Sequence, residues 1–571
     1  MRDTLISRAA LRTRDVLGSF PGTAWLIGGE EAAASHTLRQ GLLASLMIMV
    51  GSWGVGWLAM TPSSVLAVHP LLLPLRTTTA GVITCAVLLS LGAMLLVRSW
   101  LRLSQRVGGW HEGATSTIRR AVLMWGAPLL FTVPIFSRDV YSYLAQGRVL
   151  HAGLNPYESG VSELPGWFME GADGLWAESP SPYGPLFLLV AQLIWFLSGG
   201  VPEVSVMLFR LLSVAGVAMM LLVVPRLARA FGSQPAWALW LCVLNPLSLL
   251  VFLPAAHNDA LMIGLLLLGM WCALRRRRLG AVLLITAAVA VKPIAITVLP
   301  FAVLLTLKNP TRIVGDYRAR LREWVLAGLL AAGLLVGAGV LLGVGLGWIT
   351  AALGAGSAIA PVAPVGLLGT GLGLVAAVAW GADPQQTASW IYTGARVVSA
   401  AVLAWILLRR RLGNPVLWAG VGLIVVVLSS TVVQPWYLLW ILPLFAVVHV
   451  HRGRALVLVS LLITVLVLIS LVGQLSVAQW IDTTVVQTVA AGVATVYLVY
   501  LLVFDPNTTE LFDMRRPSQI WNAAVGWTGL GQLTRSPAPV PAEPRLEGSE
   551  RSSRPDLPAP ADAPDRPEGA R

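Results

Sequence analysis

Apolar runs of about twenty residues recur along most of the chain and restrict its fold more than any other feature of the sequence. Examples are Gly41–Met60, Thr79–Val97 and Gln487–Val503. A helix of that length crosses the ~30 Å hydrocarbon layer of a bilayer, and backbone groups in lipid must form their hydrogen bonds within the segment. Only 12% of the residues are charged, against about 25% in soluble domains. The sequence therefore predicts an all-α, polytopic membrane protein.

The two ends of the chain differ from its apolar body. Residues 1–40 contain no apolar stretch next to a small-residue cleavage site, so we expect a cytoplasmic arm and no removable signal peptide. Residues 505–571 are rich in proline, alanine and charge and have no apolar periodicity. Such a composition buries too little apolar surface to offset chain entropy, which predicts a disordered cytoplasmic tail. Residues 41–504 then form the transmembrane domain.

The net charge of +13 is spread over short basic loops. This arrangement argues against nucleic acid as a partner, because basic loops of membrane proteins remain on the cytoplasmic side. Placing these loops inside requires an even number of crossings between neighbouring basic clusters. About fourteen spans satisfy this condition: 41–60, 79–97, 121–136, 205–224, 236–254, 260–274, 279–291, 294–307, 324–346, 390–408, 415–431, 436–450, 455–474 and 485–503.

A large outer loop, residues 137–204, follows the third predicted span. Within it, Pro185–Gly200 is apolar but short and follows the proline-rich start of "SPSPYGPL". We interpret it as a helix that lies in the outer interface or re-enters; the alternative, a further crossing, would invert the topology of the segments after it. We interpret residues 365–380 in the same way. The three cysteines, Cys85, Cys242 and Cys272, lie in apolar runs and have no metal-binding or disulfide spacing. The sequence therefore indicates neither a metal site nor a disulfide.

Polar side chains of several segments fall on the predicted outer face. Ionisable groups at membrane depth are expensive and mostly functional. An anionic lipid-phosphate donor needs a cation at its phosphate, for which Lys292, Arg210 and Arg396 are candidates, and an attacking hydroxyl needs a carboxylate base. Asp139 is the first candidate for that base and Asp259 the second. The other candidate substrate-binding residues are Arg138, Tyr141, Tyr143, Arg148, Tyr183, His257, Asn258, Gln434, Trp436 and Tyr437.

Each of these residues also has a purely structural interpretation. Asp139 would cap a helix or pair with Arg138, and the sequence His257-Asn258-Asp259 would cap the sixth span. Lys292 would extend to the outer headgroups, and Trp436 with its neighbour Tyr437 would be interfacial aromatics. The clustering of all of them on one predicted face favours glycosyl transfer from a polyprenyl-phosphate sugar.

Several segments between about Ala121 and Pro443 resemble a known group of enzymes, the C-type glycosyltransferases. Within that superfamily they resemble the actinobacterial α-(1→6)-mannopyranosyltransferase A/B family. The segments that carry the resemblance are "SRDVYSYLAQGRVLHAGLNPYESG", with Asp139 in the acidic position of the first outer loop, and "SPYGPLF", "HNDALMIGLLLLG", "AVKPIAITVLP" and "QPWYLLWILPL".

The resemblance implies a multi-pass plasma-membrane enzyme whose active site faces the outer, periplasmic side. It implies a decaprenyl-phosphate mannose donor and a mannosylated phosphatidylinositol glycolipid acceptor, the growing α-(1→6)-mannan of lipomannan and lipoarabinomannan. Transfer would be a single inverting displacement with Asp139 as base. Because Arg138, and not a second carboxylate, precedes Asp139, we expect no obligatory metal at this loop, with His257 and Asp259 as the alternative metal ligands. We expect no cofactor. The alternatives are an arabinofuranosyltransferase with a polyprenyl-phosphate arabinose donor and a transporter or flippase of polyprenyl-linked sugars.

Overall fold

A computed structural model describes residues 34–107, 110, 112–307, 317–354, 363–409, 412–450, 454–505 and 508. Throughout this part of the chain the regular elements are helices, and no strand occurs. The α-helices are α1 Ala34–Val55, α2 Leu73–Thr77, α3 Thr79–Arg106, α4 Glu112–Leu129, α5 Asp139–His151, α6 Pro185–Ser198, α7 Pro202–Phe231, α8 Pro235–Cys242, α9 Pro246–Phe252, α10 Asp259–Leu274, α11 Arg278–Val291, α12 Leu299–Leu305, α13 Tyr317–Leu341, α14 Gly347–Gly354, α15 Pro364–Trp380, α16 Pro384–Leu408, α17 Pro415–Leu428, α18 Leu438–Ala446, α19 Arg454–Gly473 and α20 Thr483–Val503. Short 3₁₀ helices occupy Val161–Glu163, Gly174–Trp176, Pro293–Val298 and Pro435–Tyr437.

Seven helices within the described ranges are long and apolar enough to cross a membrane, namely α1, α3, α7, α13, α16, α19 and α20. The broken pair α8 and α9 raises this number to eight when it is counted as one span. Each of the fourteen predicted spans overlaps a helix or a broken pair of helices, which confirms the all-helical membrane class. Several of the overlapping helices have only 10–17 residues, so the crossing number of about fourteen stays a prediction.

The segment predicted as one span over 236–254 is bent by 54° between α8 and α9. Pro246 opens α9 at its first turn, where a missing backbone N–H is harmless. Asn245 caps that helix, because its Oδ1 accepts a hydrogen bond of 2.8 Å from the amide of Ser248. A local proline and cap therefore divide a continuous apolar run into two short helices.

The third predicted span, 121–136, is displaced toward the N-terminus. Its helix, α4, ends at Leu129, and Pro134 lies in the following non-helical segment. Phe136 in that segment has φ of 70°, which bulky residues rarely adopt. The chain therefore approaches α5 through an irregular connection, and Asp139 is the first residue of α5.

Two boundaries of the transmembrane domain also differ from the prediction. α1 begins at Ala34, seven residues before the predicted start at 41. At the other end, Asp505 is buried and accepts hydrogen bonds of 3.1 and 2.9 Å from Arg98 on α3. Asp505 thus belongs to the packed helical domain. Residues 1–33 and the predicted tail from 509 onward lie outside the described residues.

Close packing of α7 against α10 places the start of α10 at the site described below. A Cβ atom at Gly216 of α7 would lie 2.2 Å from the carbonyl carbon of Ala260. Only glycine allows the two backbones to approach this closely. The contact fixes the first turn of α10, which begins with Asp259.

Candidate active site

Asp139 opens α5 with a carboxylate that makes no hydrogen bond to any other residue in the described part of the chain. Its nearest charged or chargeable neighbour by ion-pair distance is His257, whose Nδ1 lies 3.8 Å from Asp139 Oδ2. The side chain is 16% exposed. Burial is the largest influence on the Asp139 pKa and raises it, while His257 and Lys292 act in the opposite direction. A carboxylate with a raised pKa is a stronger base, which suits proton abstraction.

Arg138 does not pair with Asp139. Its guanidinium donates to the carbonyl oxygens of Gly171 (3.0 and 2.8 Å) and Ala172 (2.7 Å). It also lies 3.8 Å above the centre of the Trp57 ring. These contacts tie the long loop after α5 to the start of the helix. Arg138 therefore positions the loop and does not neutralise the neighbouring Asp139 carboxylate, which lies 3.8 Å from His257.

His257, Asn258 and Asp259 enter the same region from the turn between α9 and α10. All three are buried, with His257 and Asp259 fully so. Ala256, immediately before them, has φ of 53°, a backbone conformation that non-glycine residues adopt mostly at constrained sites. Tyr143 of α5 contacts this turn: its hydroxyl lies 3.3 Å from His257 Nδ1 and donates to Asn258 Oδ1 at 3.4 Å.

Asp259 and Lys292 form a buried ion pair. Lys292 Nζ lies 2.8 Å from Asp259 Oδ1 and 2.9 Å from Oδ2, and its side chain is 14% exposed. Trp440 Nε1 donates to Asp259 Oδ1 at 2.5 Å, and His257 Nδ1 lies 3.2 Å from Oδ2. The Asp259 carboxylate is thus surrounded by donors. This satisfies the requirement that a buried charge be paired and hydrogen-bonded.

Tyr183 reaches the site because the glycine after it permits a very close approach. A Cβ atom at Gly184 would lie 2.4 Å from the carbonyl oxygen of Ala290 on α11. The Gly184 amide donates to the Val291 carbonyl at 3.2 Å, beside Lys292. The ring centre of Tyr183 lies 5.9 Å from Lys292 Nζ. This contact gives a physical reason for the sequence "YGP" at the start of α6.

Aromatic rings surround the charged groups. Tyr143 makes edge-to-face contacts with Tyr183 at 5.2 Å and with Phe187 at 5.0 Å between ring centres. The Trp436 ring centre lies 4.2 Å from that of His257. Tyr437 stacks on Trp440 at 4.0 Å, and the Trp440 ring lies 5.2 Å from Lys292 Nζ. Aromatic faces of this kind bind cations and the apolar faces of sugars.

The other predicted residues have different surroundings. Arg210 is buried, and its guanidinium donates to the carbonyl oxygens of Leu130, Leu253 and Pro254 and to Thr132 Oγ1. Arg148 pairs with Glu170 at 2.7 Å, and the Tyr141 hydroxyl donates to the Trp57 carbonyl at 2.8 Å. These three residues brace the segments around the site. Gln434 is half-buried at the turn before Trp436, and Arg396 is exposed on α16.

Several residues that contact the predicted site residues were not among the sequence candidates, and two of them lie close to the charged cluster. Trp440 binds Asp259, and Phe187 packs on Tyr143. Trp440 follows Trp436 by four residues, a spacing that places two side chains on one face of a helix, so the segment "QPWYLLW" contained a signal for it. No comparable signal marks Phe187, whose role depends on how α6 packs.

Some buried polar atoms at the site have no hydrogen-bond partner in the part of the chain that the structure describes. His257 Nε2 and Asn258 Nδ2 are buried without a hydrogen bond from the described residues. Such orphaned groups call for a ligand, a water molecule or another explanation. The described residues contain no group of three or more His, Cys, Asp or Glu side chains able to hold a metal ion. Asn258 Nδ2 is a hydrogen-bond donor and suits an oxygen atom of an organic ligand.

The fold and the site together define a class: an all-helical membrane protein with a buried cluster of carboxylates, a lysine and aromatic rings. The family described as Alpha-(1->6)-mannopyranosyltransferase, N-terminal domain, matches residues 38–308, and the MptB C-terminal domain matches residues 362–503. The chain belongs to the α-(1→6)-mannopyranosyltransferase A/B family, a family of glycosyltransferases. The sequence-based assignment to this family is confirmed.

Individual relatives agree with the family assignment. The chain is 35% identical to alpha-(1->6)-mannopyranosyltransferase A of Mycobacterium tuberculosis over 318 residues. These aligned residues cover 55% of this chain and 61% of the relative. It is 31% identical over 440 residues to a probable alpha-(1->6)-mannopyranosyltransferase of Mycolicibacterium smegmatis, covering 71% and 78%. A second M. tuberculosis alpha-(1->6)-mannopyranosyltransferase is 32% identical over 476 residues, covering 73% and 79%. No solved structure matches the chain.

Proposed function

We propose that this protein transfers mannose from a polyprenyl-phosphate donor, decaprenyl-phosphate mannose, to the growing α-(1→6)-mannan of a mannosylated phosphatidylinositol glycolipid, at the outer face of the plasma membrane. The observation that carries the proposal is the meeting of Asp139 with the His257–Asp259–Lys292 cluster in a member of a mannosyltransferase family. Asp139, at one end of this arrangement, suits a hydroxyl nucleophile. Lys292, at the other end, suits an anionic leaving group.

Asp139 is the proposed general base. As the acceptor hydroxyl oxygen forms its bond to the anomeric carbon, its proton passes to the Asp139 carboxylate. The bond from that carbon to the phosphate oxygen breaks, and polyprenyl phosphate leaves with the electron pair. One displacement of this kind converts a β-linked donor to an α-linked product. The absence of hydrogen bonds to Asp139 from the described residues supports the role, because the carboxylate is free to accept a proton.

Lys292 is the proposed phosphate ligand. An ammonium group has three donors, and Asp259 occupies the two sides of Lys292 Nζ that face its carboxylate oxygens. The remaining donor suits a phosphate oxygen, whose charge develops as the bond breaks. Asp259 then holds the ammonium in place. The unpartnered His257 Nε2 and Asn258 Nδ2 suit the hydroxyl groups of the sugar.

A reconstituted transfer assay tests the donor and the acceptor together. Purified protein in lipid nanodiscs receives polyprenyl-phosphate mannose and an α-(1→6)-linked mannoside, and the products are separated by length and treated with a linkage-specific α-mannosidase. We expect lengthened products that the mannosidase removes. Nucleotide-linked mannose is the matched donor control and should give none.

Two results would contradict the proposal. One is product from the nucleotide sugar but none from the lipid donor. The other is movement of labelled lipid donor across sealed vesicles without transfer to any acceptor, which would favour the transporter alternative. Polyprenyl-phosphate arabinose in the same assay tests the arabinofuranosyltransferase alternative.

A further inference from the structure

A row of polar residues lies exposed on α16, whose other polar residues are Gln385, Thr387, Tyr392 and Ser399. Gln386, Ser389, Thr393 and Arg396 are spaced by three, four and three residues, so they lie on one side of the helix. All four are exposed. Ser389 and Thr393 donate to carbonyl oxygens of their own helix at 2.7 and 2.9 Å. We call these four residues the α16 polar stripe.

The stripe lies where lipid would otherwise contact the protein. α16 is one of the helices long and apolar enough to span a membrane, and only 11% of its most apolar stretch is buried. Arg396 is twelve residues from each end of the helix, or about 18 Å at the α-helical rise. A cation at that depth facing hydrocarbon is costly and normally faces a partner or a polar cavity.

The chain itself supplies no counter-ion for Arg396 among the residues that the structure describes. No hydrogen bond or ion pair joins it to another of these residues. The exposed helices α15, α16, α19 and α20 contain no aspartate or glutamate. In α13 the one acidic residue, Glu323, already pairs with Arg278 and Arg322. A second copy docking through these helices would therefore bring another arginine and no carboxylate.

We propose that the α16 polar stripe docks a transmembrane helix of a different membrane protein, one that carries an aspartate or glutamate opposite Arg396. A helix partner fits better than a lipid headgroup, because the stripe extends over ten residues, about 15 Å along the helix axis, which is longer than the headgroup layer is thick. The hydroxyl and amide groups of the stripe suit hydrogen bonds between helices, which occur commonly in membranes. The proposal is independent of the transfer reaction.

Site-specific cross-linking tests this surface. Benzoylphenylalanine is placed at Thr393 in the full chain in its native membrane, and the adduct is sequenced by mass spectrometry. The control position is Val398, which is 62% exposed and lies on the far side of α16, because residues are rotated by about 100° per position. The stripe position should give a discrete protein adduct and the control only lipid.

The identity and charge of the cross-linked segment decide the outcome. The proposal requires a membrane-spanning peptide of another protein that contains a carboxylate. The adduct should be lost in Arg396→Leu, kept in Arg396→Lys, and recovered in Arg396→Glu when that carboxylate is changed to arginine. The proposal would be overturned by an adduct with phospholipid or with a second copy of this chain. It would also be overturned if the yield at Thr393 were no greater than at Val398, or if Arg396→Leu left the adduct unchanged.

Discussion

The starts of α5 and α10 each present an aspartate to the same histidine, and the two aspartates have opposite surroundings. Asp259 is fully buried and accepts hydrogen bonds from Lys292 and Trp440. Asp139 is 16% exposed and lies 3.8 Å from His257. A carboxylate held by hydrogen bonds stabilises its surroundings, whereas a partly buried carboxylate without hydrogen bonds has its proton affinity available for chemistry. The comparison supports the proposal that Asp259 positions its neighbours and that Asp139 is the base.

The largest expected effect that separates the two residues is on activity. Asp139→Asn removes the proposed base while it keeps the shape of the side chain, so transfer should fall by about 10²–10⁴-fold. Since no hydrogen bond is lost, the protein should fold as before. The measurement is the rate of mannose transfer beside the unfolding temperature. Asp173→Asn, in the same loop, is the matched control and should retain most of the activity; equal losses in both variants would break the comparison.

The free energy of unfolding should fall more on substitution of Asp259 than on substitution of Asp139. Asp259→Asn leaves the Lys292 ammonium buried without a counter-ion, which costs about 3–5 kcal/mol of unfolding free energy. The double variant Asp259→Asn with Lys292→Met should recover much of that loss but none of the activity. Thermal unfolding in a fixed detergent measures both effects.

The control for this experiment is an ion pair whose arginines are exposed, although its carboxylate, Glu323, is only 10% exposed. Glu323→Gln breaks contacts to Arg278 and Arg322, which are 54% and 71% exposed, so it should cost less than about 1 kcal/mol. If Asp259→Asn were no more destabilising than Glu323→Gln, the pairing of Asp259 with Lys292 would not be the stabilising contact described here.

A smaller effect should come from the glycine beside Tyr183. Gly184→Ala places a methyl group 2.4 Å from the Ala290 carbonyl oxygen, and relief of such overpacking costs about 1–3 kcal/mol. The displaced backbone should also move Tyr183 away from Lys292 and weaken donor binding. Gly174→Ala, where the nearest non-local atom is 4.0 Å away, should change stability by less than about 0.5 kcal/mol. Unfolding temperature and the KM for donor check both variants.

The smallest effect concerns the pH dependence of stability. Burial raises the Asp139 pKa in the folded protein. Asp139 therefore favours folding below its unfolded-state pKa, and this contribution is lost as pH rises through the folded-state pKa. Asp139→Asn should accordingly unfold at a slightly higher temperature than wild type at neutral pH, with a difference that shrinks as pH falls. A difference that grows on acidification would show that the sign is wrong.

Much of the helix content was predictable because it depends on local composition. The apolar runs gave the overlapping helices, and "YGP", "HND" and "QPW" marked segments that do converge on the site. Boundaries failed where proline and caps decide, as at Pro246 in the predicted fifth span and at Leu129, where α4 ends before Pro134. Prolines and caps involve only one to three residues, so the composition of a run of about twenty apolar residues does not reveal them.

The pairing of charges was not predictable. Lys292 and Asp259 are 33 residues apart in sequence, and their contact depends on how α10 packs against α11 and α18. The same limit applies to Arg210, predicted as a phosphate ligand, and to Arg148, predicted to bind substrate: Arg210 donates to backbone carbonyls, and Arg148 pairs with Glu170. The charge and hydropathy of a segment predict whether it lies in a membrane span or in a loop. They do not predict which residue a given side chain contacts.

The acid limb of the pH–rate profile tests the central claim most directly, because it reports the protonation state of the base itself. For wild type, kcat/KM for transfer should fall as pH decreases through a pKa above the ordinary aspartate range, since burial raises the Asp139 pKa. The residual activity of Asp139→Asn should lack that limb. An identical acid limb in wild type and in Asp139→Asn would contradict the assignment of Asp139 as the base.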